Sequence, residues 1–298
     1  LTSLQQLLAS IVDYAGLFPP AQLNLTDAMQ QYDRAQSAPH HWMLDRFVLP
    51  AAYVPELSEI LLTFPKKSQQ SGSWALSVIL SKNWAAELDQ IRQFTEAVPS
   101  NEQHIHIEAW EIAPIASAEI QSVYRNLPET ANAFFEIPFD VELEPYLHQL
   151  QQTGAAAKLR TGGMISAAFP DSAQLSQRIL LLAKAQIPFK ATAGLHHALR
   201  GTYPLTDQSA SASSLMHGFL NVALLAAFAN QQRLTIDQAW ALLEERSIAS
   251  FQLTETEITW RDRALSIKDI QHSRHQFRSI GSCSVQEPIE DLHSLNLL

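Results

Sequence analysis

The run "AAAKLRTG" (155–162), the run "DSAQLSQRILLLAKAQ" (171–186) and the run "IPFKATAG" (187–194) follow one another closely in the chain. The first and third are short, apolar and bounded by glycine, as buried strands are. The middle one has helical periodicity and opens on Asp171, a good N-cap. Together they read as one β-α-β unit. Each strand also carries a lysine, Lys158 or Lys190, inside an otherwise apolar run. Desolvating an ammonium costs several kcal/mol unless it finds a partner or loses its proton.

The same alternation extends in both directions. Further strands are expected at 11–17, 46–52, 74–80, 104–112, 132–139 and 278–284. Helical patterns follow them at 25–36 (cap Asn24 or Thr26), 54–64, 83–98 (cap Asn83), 116–127, 143–154 (stop Gly154) and 287–295. Eight strands, each followed by a helix, predict a single (β/α)8 TIM-type barrel over residues 1–298. The gap before the last strand is too long for one barrel unit and implies an insertion at about 200–277. It reads as a helix at 213–232, a helix at 235–247, a β-hairpin at 251–266 and a helix at 267–277.

Composition supports a large core: 46% of residues are hydrophobic and 17% charged, in 298 residues. A net charge of −10 and a pI near 5.5 argue against nucleic acid and anionic membranes as partners. The longest apolar run, residues 219–229, is too short to span a bilayer and contains Asn221. The N-terminal residues lack the basic region and cleavage pattern of a signal peptide, and a single cysteine, Cys283, suits a reducing compartment. These features lead us to expect a cytoplasmic protein.

Active sites of barrels lie at the C-terminal ends of the strands. The polar residues expected there are Asp13, Glu108, Glu136, Lys158, Arg160, Lys190, Thr192, His196, His197 and Ser282. Strand alternation puts Lys158 with Arg160, Lys190 with Thr192, and His106 with Glu108, leaving Glu111 on the other face. Lys158, Lys190, Glu108 and Glu136 are therefore the candidate catalytic residues. Arg160 with Gly162 and Gly163 offers an anion grip, completed by Ser282, with Asp13, Thr192, His196 and His197 as further substrate contacts. The plainer alternative is a set of structural ion pairs. Cofactors are not expected. A metal, if bound, would fall to His106, Glu108, Glu136 and His196, although the cations on the same rim oppose one. Cys283 reads as packed rather than nucleophilic. His217 and Asn221 share one face of the apolar helix, which is buried by the barrel, by the insertion or by a second subunit in a homodimer.

The motifs "DYAGLFPPA" (13–21), "KLRTGG" (158–163), "FKATAGLHH" (189–197), "MHGFLN" (216–221) and "GSCSVQEP" (281–288) resemble a family of uncharacterised bacterial proteins over essentially the whole chain. This resemblance implies a shared site without naming its chemistry. A weaker resemblance is to class I aldolases of the deoxyribose-phosphate aldolase type. It implies a Schiff-base lysine and a second lysine on strands six and seven. By strand position Lys158 is the nucleophile; by the local run "KATAG" it is Lys190. The expected substrate is a small anionic carbonyl compound, a sugar phosphate or keto acid. The alternatives are a non-covalent or metal-dependent isomerase or lyase, and a non-catalytic anion-binding or structural protein.

Overall fold

The computed structural model describes residues 2–63, 74–97, 105–129, 131–206, 211–231 and 234–298. His104 and the ends of three expected helices, Phe64, Val98 and Gln232, lie outside the described residues. Eight parallel strands form a closed barrel. They are β1 (Val12–Tyr14), β2 (Leu44–Pro50), β3 (Trp74–Leu80), β4 (Ile105–Ile112), β5 (Asn132–Glu136), β6 (Ala156–Arg160), β7 (Phe189–Thr192) and β13 (Phe277–Ser282). The order around the barrel is β1-β13-β7-β6-β5-β4-β3-β2, and β1 closes it by pairing with both β13 and β2.

Helices α1 (Ser3–Leu8), α2 (Leu25–Gln36), α3 (Val54–Thr63), α4 (Trp84–Ala97), α5 (Ile120–Asn126), α6 (Glu144–Thr153) and α7 (Ser172–Lys184) precede the insertion, and α11 (Gln286–Ser294) ends the chain. Their ends follow local chemistry. Asn24 caps α2 by accepting from the Asp27 amide, and Asp171 forms a capping box with Gln174 on α7. Gly154 stops α6 at a φ of 74°, which suits glycine. Outside the barrel wall Tyr14, Tyr32, Phe47 and Trp74 stack in one aromatic cluster, with centroids 4.9 Å apart at the closest pair.

The insertion departs from the expectation in three places. A β-hairpin, β8 (Gly201–Pro204) and β9 (Ser213–Met216), occupies the start of the expected helix. Helix α8 runs only over Phe219–Asn230, with Gly218 as its N-cap. After α9 (Ile236–Leu243), the expected hairpin is a three-stranded antiparallel sheet, β10 (Phe251–Leu253), β11 (Glu257–Trp260) and β12 (Arg263–Ser266), leading into α10 (Ile267–Arg274). Helix α8 is buried on all sides between α7, α9, α10 and β13. Its own chain covers it, so its burial needs no second subunit. Among the described residues no helix is long and apolar enough to cross a membrane.

His217 and Asn221 fasten this insertion, and they do not share a helix face, because His217 precedes α8. The His217 ring accepts from Arg200 at 2.9 Å and donates to the Pro170 carbonyl at 2.8 Å. Arg200 is itself paired with Glu244. Asn221 accepts from the Arg200 amide and donates to the carbonyls of Leu242 and Glu245. Burial, and then the neighbouring Arg200, pushes the imidazole down to about 4. The unfolded chain therefore binds a proton near pH 6.5 that the native chain refuses until about pH 4. Stability should fall as pH drops through that window, by about 3 kcal/mol in total. Urea unfolding across the window should show the loss. His217→Gln, which keeps a donor and an acceptor but does not titrate, should flatten it.

Candidate functional site

The inside of the barrel is where this chain is unusual. Such interiors are normally layered with Val, Ile and Leu. Here Ala109, Phe134 and Ala156 form only a small apolar patch, and charged groups occupy the space above it. They alternate in sign. Arg46 of β2 pairs with Asp13 of β1 at 3.0 Å. Asp13 contacts Lys190 of β7, which reaches Glu111 of β4 at 2.5 Å. Glu111 also holds Lys158 of β6 at 2.9 Å. Lys158 contacts Glu136 of β5 at 3.1 Å, and Glu136 ends the series on Arg160 at 3.2 Å. Ser279 donates to Asp13 and Ser77 to Glu111, at 2.6 and 2.7 Å, satisfying lone pairs the cations leave.

Burial acts against the charges of Asp13, Arg46, Glu111 and Lys158, and the neighbours overcome it. Burial pushes Glu111 up, but Lys158, Lys190 and the Ser77 hydroxyl hold it far below the usual carboxylate range. Asp13 is likewise held low, by Arg46 and Lys190. Burial pushes Lys158 down, but Glu111 and Glu136 raise it above the ordinary lysine value. Asp45, which meets Arg46 at 2.6 Å, is pushed up to about 6 by burial and by the charge of Asp13. Lys190 and Arg46 also lie over the Phe134 ring at 5.5 and 5.9 Å.

Above the series opens a cavity of about 510 Å³ at the C-terminal end of the strands, a size suited to a small molecule. Its floor includes Glu111, Lys158, Lys190 and Thr192. Arg160 lines its edge with the side chain 56% exposed, and among the described residues only its Nε is engaged, by Glu136. Apolar walls come from Phe18, Val48, Ile79 and Phe169, and the β8–β9 hairpin contributes Pro204, Leu205 and Met216 as a roof. The hairpin is fixed by Tyr203, whose ring stacks on His197 at 3.5 Å and whose hydroxyl donates to the Leu199 carbonyl.

Several expected residues sit elsewhere. Glu108 does not join the lysines; Glu111 does. The β3–β4 register skips a residue, pairing Leu76 with Ile107 and Ser77 with Ala109, so Glu108 is the extra residue of a bulge. A bulge reverses the alternation beyond it, and this one turns Glu111 inward. Glu108 instead lies near the lower end, where its charge acts on Tyr32 and Asp45. His106 is exposed on the outside, beside Trp110 and Arg92. The metal set expected from His106, Glu108, Glu136 and His196 is therefore not assembled. Asp13 is fully buried beneath Lys190 and does not line the cavity.

Of the anion grip, Arg160 and Gly163 line the cavity, whereas Gly162 serves packing. A Cβ there would lie 2.8 Å from the Gly194 Cα and 2.7 Å from the Phe169 ring. Ser282 is buried and donates to the Ser284 carbonyl. His196 and His197 line the cavity, with His197 against Asp291 at 3.3 Å and His196 beside Cys283 and Glu287. The nearby Cys283 and Glu287 outweigh burial and push the His196 imidazole up to about 10.

Glu111 carries two cations, so its removal should leave two buried ammonium groups short of a partner. Glu111→Gln should cost about 3–5 kcal/mol in urea unfolding. Ser77→Ala, which removes one hydrogen bond to the same carboxylate, should cost about 1 kcal/mol.

No family model, no curated protein and no solved structure matches the chain.

Proposed function

We propose that the chain is an enzyme acting on a small anionic carbonyl compound, a sugar phosphate or keto acid, as an isomerase or lyase without a covalent intermediate. One observation carries this reading. Lys158 and Lys190 both line the cavity, and each lies against two carboxylates. Imine formation needs a free amine, and Lys158, which Glu111 and Glu136 raise above the ordinary lysine value against burial, keeps its proton. A charged ammonium fixed in a closed site instead stabilises an oxygen that gains charge, as a carbonyl does when an enolate or alkoxide forms.

The roles follow from position. Arg160 takes the anionic group of the substrate with the donors Glu136 leaves free. Lys158 and Lys190 meet the carbonyl oxygen. Glu111 is too acidic at rest to act as a base. A substrate oxygen that draws either lysine away removes part of what depresses it, so Glu111 gains proton affinity as the substrate arrives. A second reading is the imine route of class I aldolases. Its support is that Lys158 and Lys190 are register partners on adjacent strands, the lysine pair that the aldolase resemblance implies.

The test is a panel of keto acids and sugar phosphates in deuterated water, followed by NMR. Exchange at the carbon beside the carbonyl should appear for an anionic member of the panel and vanish in Lys158→Met and Lys190→Met. Arg160→Ala should weaken binding by roughly tenfold or more, the worth of a charge-assisted hydrogen bond. Borohydride should leave no adduct in the mass spectrum. An adduct on Lys158 or Lys190 would transfer the reading to the imine route, and binding without exchange would leave an anion-binding protein.

A further inference from the structure

The last strand and the first turn of the last helix bring a second group of side chains to the cavity. The His196 Nδ1, the Cys283 Sγ and a carboxylate oxygen of Glu287 all lie within 4.8 Å of one another. Nδ1 is 3.8 Å from Sγ and 3.1 Å from Oε2 of Glu287. A tetrahedral zinc ion with ordinary bond lengths has ligand–ligand edges of about 3.3–3.7 Å. The two edges from Nδ1 fall within about 0.2 Å of that range, and the third is below 4.8 Å.

The geometry points to a zinc-type divalent metal site on His196, Cys283 and Glu287, with its fourth position open to the cavity for a substrate oxygen. All three residues line the cavity. One imidazole, one thiolate and one carboxylate form a donor set that suits zinc and excludes magnesium or calcium. The set carries two negative charges when the imidazole is neutral, so a dication is balanced. Glu287 Oε2 is a buried atom that finds no hydrogen-bond partner despite its closeness to the His196 ring. Two ligands of one ion take such an arrangement: near one another, without the alignment of a hydrogen bond.

The surroundings hold the ligands still. Ser282 Oγ donates to the Ser284 carbonyl, and Ser284 Oγ accepts from the Glu287 amide at 3.1 Å. On the other side Asp291 accepts from the Ala198 amide at 2.7 Å, fixing the backbone two residues beyond His196. The objection that a basic rim repels a metal fails here. Lys158 and Lys190 share Glu111, and each has a further carboxylate, Glu136 or Asp13, that offsets its charge. Three protein ligands and one open position are the pattern of a catalytic rather than a structural zinc site.

The experiment needs no substrate, so its outcome is independent of the reaction proposed above. The chelator-treated full chain is titrated with cobalt(II) and then zinc(II). We expect one equivalent of cobalt per chain, a thiolate-to-cobalt charge-transfer band, its displacement by zinc, and a rise in melting temperature on zinc binding. Cys283→Ser should abolish the band. His196→Gln and Glu287→Gln should each weaken binding by more than about a hundredfold, beyond the cost of losing an outer-shell partner. Circular dichroism of the metal-free variants checks that they fold. Glu287, whose side chain is 37% exposed, is the variant least able to disturb the fold. Absence of saturable binding at one equivalent, or cobalt binding unchanged in Cys283→Ser and Glu287→Gln, would overturn the site and leave His196 as an ordinary partner of Cys283 and Glu287.

Discussion

An uninterrupted alternation of charge, Arg46–Asp13–Lys190–Glu111–Lys158–Glu136–Arg160, occupies the barrel interior, and the rest of the architecture is arranged around it. The buried members cannot be desolvated singly; each is tolerable only because it lies between two groups of the opposite sign, Arg46 between Asp13 and Asp45. Six of the eight strands contribute one or two members each, and β3 and β13 add Ser77 and Ser279, so closing the barrel and completing the series are the same event. The apolar packing that stabilises the fold therefore lies outside the barrel wall, in the aromatic cluster of Tyr14, Tyr32, Phe47 and Trp74 and around α8.

The series has two unlike ends. Arg46 is buried with Asp45, deep in the barrel, whereas Arg160 reaches the cavity and is more than half exposed. A ligand anion that meets Arg160 competes with Glu136, which also holds Lys158. Because each charge is held by the next, binding at the exposed end is felt along the row as a redistribution of hydrogen bonds. Under the proposed function, this is a physical route by which an anion at Arg160 would alter the proton affinity of Glu111 without touching it.

Much of this was legible in the residues. Alternating apolar runs and amphipathic segments place all eight barrel strands, and the lysines of "AAAKLRTG" and "IPFKATAG" fall at one rim because their strands are neighbours in register. What failed did so for identifiable reasons. Strand alternation assigned Glu108 inward and Glu111 outward, and a single extra residue in β4 inverted the second assignment. Alternation assumes an unbroken ladder, and a bulge costs too little to leave a compositional mark. The odd spacing of two glutamates in one strand was the available sign that both could not share a face of a regular ladder. Arg46, a lone cation at the head of "RFVLPAA", was a second sign that passed unused. The β8–β9 hairpin is short and only partly buried, so it lacks the apolar pattern that reveals a strand, and Gly218 alone marks where α8 begins. The Cys283 and Glu287 grouping required His196 from a different loop, which no spacing in the chain discloses.

Helix α8 carries a consequence for how the chain is made. Eleven consecutive residues, Phe219 to Ala229, are buried, and part of what buries them is α10 and β13, some 40 to 60 residues later in the chain. During synthesis from the N-terminus, this apolar segment leaves the ribosome before those elements exist. It must rest on α7 and then α9, or be shielded by a chaperone, until the last strand arrives, which is also the strand that closes the ring against β1. The slow, exposed stage of biogenesis is thus set by the insertion, and substitutions that weaken α10 or β13 will be felt first as aggregation of the nascent chain rather than as loss of the finished fold.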